Sequence, residues 1–253
     1  MSRGSGAIGE KARIAFLLGS GLGGTVDGFP VRASVSFEDI AGVTLPEVAG
    51  HRGELRLCRM SAMNSLFVLG RKHHYEAADD EIYRIIRYCS TLGAEKLLVV
   101  SSAGSLNRRL IPGEFVLADR VLDLQARPPI PSGRGRSLLH LDKKVMQRIR
   151  AAAARRRIRL ALGTVACMDG PAYETAAEVR YLQNIGADIA AMSGAPELHF
   201  ANHLGMRAAV LCLITNYATS LSAGSLGHSE VLAMSGNASA ALSDLLTEFS
   251  RDE

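Results

Sequence analysis

The chain has no tryptophan, and aromatic residues make up only 5% of its 253 residues. It also has few cysteines: Cys58, Cys89, Cys167 and Cys212 are far apart and form neither a CxxC pair nor a zinc-ligand spacing. Cysteines in such a pattern are typical of reduced, buried thiols. We therefore expect no disulfide framework and no metal site.

Long hydrophobic runs are missing as well. No stretch reaches the roughly 18 apolar residues of a membrane span, and the first residues, MSRGSGAIGEKAR, lack the apolar core of a secretory signal. The sequence thus predicts a cytoplasmic protein with no membrane partner. A hydrophobic content of 47% is enough for a full core. We expect residues 1–10 to be disordered and residues 11–253 to form one domain.

The formal net charge is +4, and four arginines cluster at positions 155, 156, 157 and 159. Aromatic residues, which would stack on bases, are not interleaved with this run. Cations at the end of an Ala-rich helix complement the helix C-terminus and point into solvent. We predict no nucleic acid partner.

Short apolar runs alternate with longer amphipathic stretches, a pattern that indicates an α/β fold with a sheet covered by helices. Strands are predicted at residues 14–18, 66–69, 97–100, 115–122, 165–168, 189–191 and 208–214. Helices are predicted at residues 79–92, 142–157, 176–185 and 228–250.

Three predicted strands are each followed by polar side chains. Tyr173 and Glu174 follow the first, Met192 and Ser193 the second, and the third ends in Thr215-Asn216. Open α/β sheets bind ligands beyond the carboxyl ends of their strands. We expect these groups at one sheet edge, around a ligand with an apolar ring and polar edges such as a nucleoside.

A glycine loop, GSGLGG at residues 19–24, satisfies the dinucleotide-binding pattern GxGxxG. That site needs a helix opening at the loop, whereas Gly28 and Pro30 interrupt the residues that follow. We therefore reject the dinucleotide interpretation. The loop, with the Ser20 hydroxyl, could hold an anion in a nest of backbone N–H groups, and a plain turn is the alternative.

A second candidate anion element is GRKHHYE at residues 70–76. Arg71 offers a planar fork suited to phosphate, and His73 can donate to it if Glu76 or another acceptor fixes its tautomer. The run SSAGS at residues 101–105 either adds backbone N–H donors or forms a tight turn capped by serines.

The chain resembles the trimeric purine nucleoside phosphorylase family over nearly its full length. The family's motifs occur in order, as GSGLG, GH at 50–51, GRxHxYE, AGxLN at 103–107, GPxxET at 170–175, GADxxxMSxxPE at 186–197, LITN at 213–216 and HxEVLA at 228–233. The resemblance implies a single domain with a central mixed, partly barrel-like sheet flanked by helices. It also implies a homotrimeric pentosyltransferase of purine salvage, with no metal or organic cofactor and with inorganic phosphate as co-substrate.

The resemblance also implies residue roles. Phosphate would be bound by Ser20, Arg71, His73, Ser193 and the backbone N–H of Ser102. The nucleoside would be bound by Tyr75, Tyr173, Glu174, Met192, Thr215, Asn216 and His228. Catalysis would depend on Asn216, Glu174, His73 and Arg71. In the family, Glu174 would accept from purine N1–H, Asn216 would contact N7 and the 6-oxo group, and His228 would reach the 5′-hydroxyl.

The implied reaction is phosphorolysis of 6-oxopurine (deoxy)ribonucleosides such as inosine and guanosine. Asn216 and His228 favour these over 5′-methylthio-nucleosides, whose phosphorylases usually carry Asp and an apolar pocket there. Three alternatives are a 5′-methylthio-nucleoside phosphorylase, a nucleoside hydrolase and a non-catalytic purine-binding homologue. The chain departs from the family at Ser101-Ser102, at Lys72 and His74, which add charge beside the phosphate site, and in a shorter segment at residues 125–141.

Overall fold

The computed structural model describes residues 8–46, 50–60, 63–76, 79–125, 139–221 and 227–251. The segment predicted to be disordered therefore lies largely outside the described residues, as does most of the shortened segment 125–141. Nine strands are present in the described chain: β1 Ile14–Leu18, β2 Val31–Ser36, β3 Glu54–Met60, β4 Met63–Leu69, β5 Lys96–Ser105, β6 Phe115–Asp123, β7 Leu160–Cys167, β8 Ile189–Ala191 and β9 Arg207–Tyr217. The α-helices are α1 Asp79–Thr91, α2 Lys143–Arg155, α3 Ala176–Asn184, α4 Ala195–His203 and α5 His228–Ser250.

All nine strands form one mixed sheet in the order β2-β3-β4-β1-β5-β8-β7-β6-β9. Strand β9 also pairs with β5, so five strands close into a ring while β1 to β4 extend from it as an open wing. Strands β4, β1, β5 and β9 run parallel, whereas β8 runs antiparallel to β5 and β6 runs antiparallel to β9. The predicted mixed, partly barrel-like α/β fold is confirmed.

Two hydrophobic clusters cover the two faces of the sheet, since successive side chains of a strand point to opposite faces. Along β1, Ala15 and Leu17 pack with α1 and α4, while Ile14, Phe16 and Leu18 pack with α2 and α5. A third, smaller cluster places α3 against the ring. All four cysteines are buried and free, and burial raises the pKa of the Cys212 thiol to about 12, as expected for unreactive thiols.

Two strands and one α-helix escaped the sequence prediction: β2, β3 and α4. Strand β2 lies at the sheet edge and only one of its six residues is buried, so it lacks the apolar run that identified the other strands. Helix α4 is buried over Ala195–Ala201, and a helix buried on all sides shows no 3.6-residue periodicity.

The basic run lies where the sequence placed it, at the end of α2, whose N-cap Asp142 accepts from the Val145 N–H. Its arginines are less free than expected. The Nε atoms of Arg155 and Arg156 donate to the two oxygens of Glu248 at 2.7 and 2.9 Å, because α2 packs against α5. Within the described part of the chain, no helix is both long enough and apolar enough to cross a membrane.

Candidate active site

A cavity of about 290 Å³ opens where β1, β4, β5, β8 and β9 come together. Every predicted site residue with a described side chain lines it, namely Ser20, Arg71, His73, Tyr75, Ser102, Tyr173, Glu174, Met192, Ser193, Thr215 and Asn216. The side chain of the remaining predicted residue, His228, lies outside the described atoms. No group of His, Cys, Asp and Glu side chains suited to a metal ion occurs among the residues described.

The route by which these residues meet differs from the expected one. The sequence argument placed three strand ends at one shared edge of a sheet, but β7 and β8 run opposite to β5 and β9. Strand β8 pairs antiparallel with the end of β5, with Ala190 opposite Gly104. This pairing carries Ser193 back along β5, where its Oγ lies 2.5 Å from Ser101 Oγ.

One end of the cavity is built around Arg71, which follows β4. The side chain is 1% exposed, and its Nε donates to Glu197 Oε1 at 2.6 Å. Glu197 is buried too, and its second oxygen accepts from the Gly194 N–H at 2.7 Å at the start of α4. Arg71 Nη1 has no hydrogen-bond partner among the described residues. A buried donor of this kind is costly unless a ligand satisfies it.

Three aromatic rings are stacked beside Arg71. His73 lies between His51 and Tyr75, with ring centroids 5.0 Å from each. His73 Nδ1 lies 3.4 Å from Glu76 Oε2, the acceptor that the sequence suggested. His51 Nε2 hydrogen-bonds Ser20 Oγ at 2.9 Å, and its Nδ1 lies 2.6 Å from the Arg71 carbonyl oxygen. His51 therefore joins the glycine loop to the Arg71 segment.

Serine hydroxyls line the wall of the same end. Ser102 Oγ donates to the Ser20 carbonyl at 3.3 Å and lies 3.2 Å from Ser235 Oγ on α5. The glycine loop itself leads into a five-residue 3-10 helix, Leu22–Val26, and not into the α-helix of a dinucleotide-binding turn. Together with Arg71, these hydroxyls and backbone groups form a polar, cationic pocket suited to an anion.

The other end of the cavity carries one carboxylate and one amide. Glu174 is only 9% exposed, and this burial, with a smaller effect of the neighbouring Glu178, raises the pKa of its carboxyl above 4.5. Asn216 Oδ1 accepts from the Thr215 hydroxyl at 2.8 Å, and Asn216 Nδ2 donates to the Tyr217 carbonyl at 3.0 Å. The amide is therefore held in one orientation by its neighbours on β9.

Several known proteins are similar to the chain over most of its length. The profile of the phosphorylase superfamily matches residues 67–251. A purine nucleoside phosphorylase of Mycobacterium leprae is 33% identical, over 98% of this chain and 95% of its own length. Purine nucleoside phosphorylase 1 of Bacillus subtilis is 30% identical, over 88% of this chain and 86% of its own. The chain belongs to the purine nucleoside phosphorylase family. This confirms the resemblance seen in the motifs and the expectation of an enzyme of this type.

Structures of the family agree. The Schistosoma mansoni purine nucleoside phosphorylase in complex with inosine superposes with a TM-score of 0.84 at 25% identity, covering 95% of this chain and 90% of that one. Its complex with adenosine gives 0.82 at 26% identity, over 94% of this chain and 90% of that one. Over a shorter part, 56% of this chain and 58% of its own length, a 6-oxopurine nucleoside phosphorylase of Pyrococcus furiosus is 34% identical.

Against this family background, two residues of the site had no role in the sequence analysis. Glu197 and His51 were named only as parts of motifs, yet one holds Arg71 and the other ties Ser20 to the Arg71 segment. A signal for Glu197 was available. Arg71 comes two positions after the apolar run 66–69, and an arginine that is buried there requires a partner of opposite charge.

Structural explanations exist for the departures at Lys72 and at Ser101-Ser102, whereas the side chain of His74 lies outside the described atoms. Lys72 does not line the cavity, because its ammonium group turns to Thr44 and to Glu81 of α1. The expectation that Lys72 adds charge beside the phosphate site is therefore wrong, since Glu81 neutralises it. Ser101 and Ser102 are structural parts of the polar wall, bonded to Ser193 and to the glycine loop.

Proposed function

We propose that this chain catalyses the phosphorolysis of 6-oxopurine (deoxy)ribonucleosides such as inosine and guanosine, releasing the free base and (deoxy)ribose 1-phosphate. The observation that carries the proposal is the buried Arg71, which lines the cavity with Nη1 unpaired among the described atoms. Opposite it stand a carboxylate and an oriented amide, Glu174 and Asn216. The name of the Pyrococcus furiosus relative supports the 6-oxopurine preference.

Phosphate is the group that the Arg71 end of the cavity suits best. Glu197 occupies Arg71 Nε, so the outer nitrogens remain for the oxygens of an anion, a geometry in which a guanidinium exceeds an ammonium. The Tyr75 hydroxyl and the Glu76 carboxylate lie 3.2 and 3.4 Å from His73 Nδ1, which leaves Nε2, when it carries a proton, to donate to phosphate. Ser20, Ser193 and the Ser102 backbone N–H complete the binding set.

The nucleoside occupies the rest of the cavity. Tyr75 and Met192 contact the ribose, Tyr173 packs over sugar and base, and His228 takes the 5′-hydroxyl. The Glu174 carboxylate accepts from purine N1–H, and Asn216, oriented by Thr215, contacts N7 and the 6-oxo group. A base with an N1 hydrogen and a 6-oxo group matches this pair.

The reaction follows from the charges at the two ends. A phosphate oxygen attacks C1′ from the face opposite the base while the C1′–N9 bond breaks. The electron pair of the C1′–N9 bond leaves with the purine. Positive charge grows on the sugar and negative charge on the base. Bound phosphate stabilises the positive charge on the sugar, and a hydrogen bond at N7 stabilises the negative charge on the base. These preorganised electrostatic interactions lower the barrier. No metal or organic cofactor takes part, and phosphate is a co-substrate.

The test is inosine cleavage with and without inorganic phosphate, following hypoxanthine and ribose 1-phosphate. Guanosine, adenosine and 5′-methylthioinosine are run in parallel. Phosphate-dependent release of both products, fastest with inosine or guanosine, is the expected result. Faster turnover of the methylthio substrate would transfer the assignment to a methylthio-nucleoside phosphorylase, and tight binding without turnover would establish a non-catalytic purine-binding protein.

We also propose that the protein is a homotrimer, as the family resemblance implies. Sedimentation equilibrium of the full chain tests this, since a monomer of 27.0 kDa and a trimer differ threefold in mass.

A further inference from the structure

Helix α4 contacts both Arg71 and Asp123, the last residue of β6, through residues that lie outside the cavity. Glu197 and His199 are two positions apart, so they project about 200° apart around the helix axis. On one side Glu197 binds Arg71. On the other side His199, only 6% exposed, makes a hydrogen bond of 3.1 Å between its Nε2 and Asp123 Oδ2. The carboxylate can only accept, so Nε2–H donates.

Asp123 carries this contact onward to the loop that holds Glu174. Its second oxygen accepts from the Gln125 N–H at 3.2 Å, and Gln125 Nε2 donates to the Met168 carbonyl at 3.1 Å. Between them the Leu124 N–H donates to the Cys167 carbonyl at 3.1 Å. Met168 opens the turn that leads through Gly170 to Glu174. His199 is thus connected by hydrogen bonds to Met168, and the chain leads from Met168 to Glu174.

Arg71 and Glu174 follow different strands of the sheet. Arg71 follows β4 in the open wing, while the Glu174 loop follows β7 in the closed ring, and these strands are not neighbours. Helix α4 is buried over its first two turns. A helix packed in this way deforms little, so a displacement at one of its contacts is passed to the others. Cys167, which lies between the two halves, donates its Sγ–H to the Ser193 carbonyl at 3.3 Å. The same segment therefore also contacts the anion end.

We propose that His199 is a positioning residue, which through Asp123 holds the purine-binding loop at a fixed distance from the Arg71 anion site. The inference builds on the proposed phosphorolysis, in which phosphate must reach C1′ while Glu174 and Asn216 hold the base. A displacement of about 1 Å between reacting groups can cost on the order of 100-fold in rate. Binding of either substrate alone depends much less on their spacing.

The test compares His199→Leu, which removes the hydrogen bond, with His199→Gln, whose side-chain amide restores a donor near the Nε2 position. His203→Leu is the matched control, because His203 lies on the same helix, is exposed and has no part in the connection. For His199→Leu we expect kcat for inosine to fall about 10-fold or more, with KM for inosine and for phosphate each changed less than about threefold. His199→Gln should recover most of kcat, and His203→Leu should match the native chain.

Hydrogen exchange of the peptide covering residues 166–174 supplies a readout independent of turnover. Loss of the anchoring bond should speed exchange there in His199→Leu, but not in His199→Gln or His203→Leu, because local opening follows lost contacts. Unchanged exchange together with a kcat within twofold of native would overturn the proposal. The proposal would also be overturned if His199→Leu and His199→Gln lost kcat to the same extent and both had a lowered melting temperature, because that pattern indicates general destabilisation. Absence of inosine cleavage in the native chain would refute the proposed function, while the exchange result would still decide the role of His199.

Discussion

Arg71 and Glu197 form an ion pair of 2.6 Å in which each side chain is only 1% exposed. They are 126 positions apart in the chain, and each comes from an element that also lines or supports the cavity. The pair neutralises the arginine without using all of its donors. The guanidinium is therefore fixed in place and still has donors for an anion. Its neutralisation by Glu197 explains how a cation can be buried close to the end of an apolar strand.

Replacing Arg71 by lysine should impair phosphate binding selectively. An ammonium group cannot keep the Glu197 contact and also offer a planar fork. Losing a hydrogen bond between charged groups costs about 1.5 to 3 kcal/mol, so the phosphate KM should rise by about 10- to 100-fold. Initial rates at varied phosphate measure this, with Arg13→Lys as control, since the Arg13 side chain is 60% exposed. An unchanged phosphate KM in Arg71→Lys would remove Arg71 from the phosphate site.

Asn216→Ala should act on turnover. Removing one preorganised donor from a leaving group costs about 3 kcal/mol, or roughly 100-fold in kcat. The phosphate KM should change little, because Asn216 lies at the other end of the cavity. Steady-state kinetics with inosine provide the measurement, and Asn64→Ala on β4, which loses a contact to Glu10, is the control. A native kcat would refute the role given to Asn216.

Protonation of Glu174 should lower kcat/KM at acidic pH, which gives the pH profile an acidic limb. Burial raises its pKa above 4.5, and the proposed role requires the carboxylate, so kcat/KM for inosine should fall as pH drops through this raised pKa. A Glu174→Gln variant should have a lower kcat/KM without that limb. Glu178→Gln should keep the limb and shift it toward lower pH, because removing a nearby like charge lowers the pKa of Glu174. If Glu174→Gln keeps the acidic limb of the native chain, the limb comes from the titration of another group.

Gly170→Ala should weaken nucleoside binding. Gly170 has φ +74°, and an added Cβ would lie 2.7 Å from Met192 Sδ and 3.0 Å from Tyr75 Cδ1, two proposed ribose contacts. Gly186→Ala is the matched control, because its φ is +87° but nothing lies within 4 Å of the added carbon. Both variants should lose about 1 kcal/mol of stability from the left-handed backbone. Only Gly170→Ala should raise the inosine KM, and equal inosine KM values in the two variants would contradict the contact.

Much of the fold was accessible from local patterns. Apolar runs identified the ring strands and β1 and β4, since each of these contains a continuous stretch of buried residues. The edge strand β2 and the helix α4 were missed for opposite reasons. One is too exposed to show an apolar run and the other too buried to show a polar face.

The ordered motifs also identified the cavity residues, because several of them place polar groups at or shortly after the end of an apolar run. They did not reveal how the motifs meet. The rule for parallel sheets predicted the right residues, but it placed them at one shared edge of parallel strands. In the structure β7 and β8 run in the opposite direction to β5, and this reversal depends on the pairing between β5 and β8. That pairing joins residues more than 80 positions apart, which no local pattern encodes.

By itself the sequence determined the class of fold, the family and the side chains that line the cavity, because these follow from short-range hydrophobic patterns and from motifs. Only the tertiary structure decided which partner each of those side chains has. Arg71 with Glu197, Ser101 with Ser193 and His199 with Asp123 are contacts across 126, 92 and 76 positions. Such pairs form because burial forces each polar group to find a partner wherever packing brings one within reach.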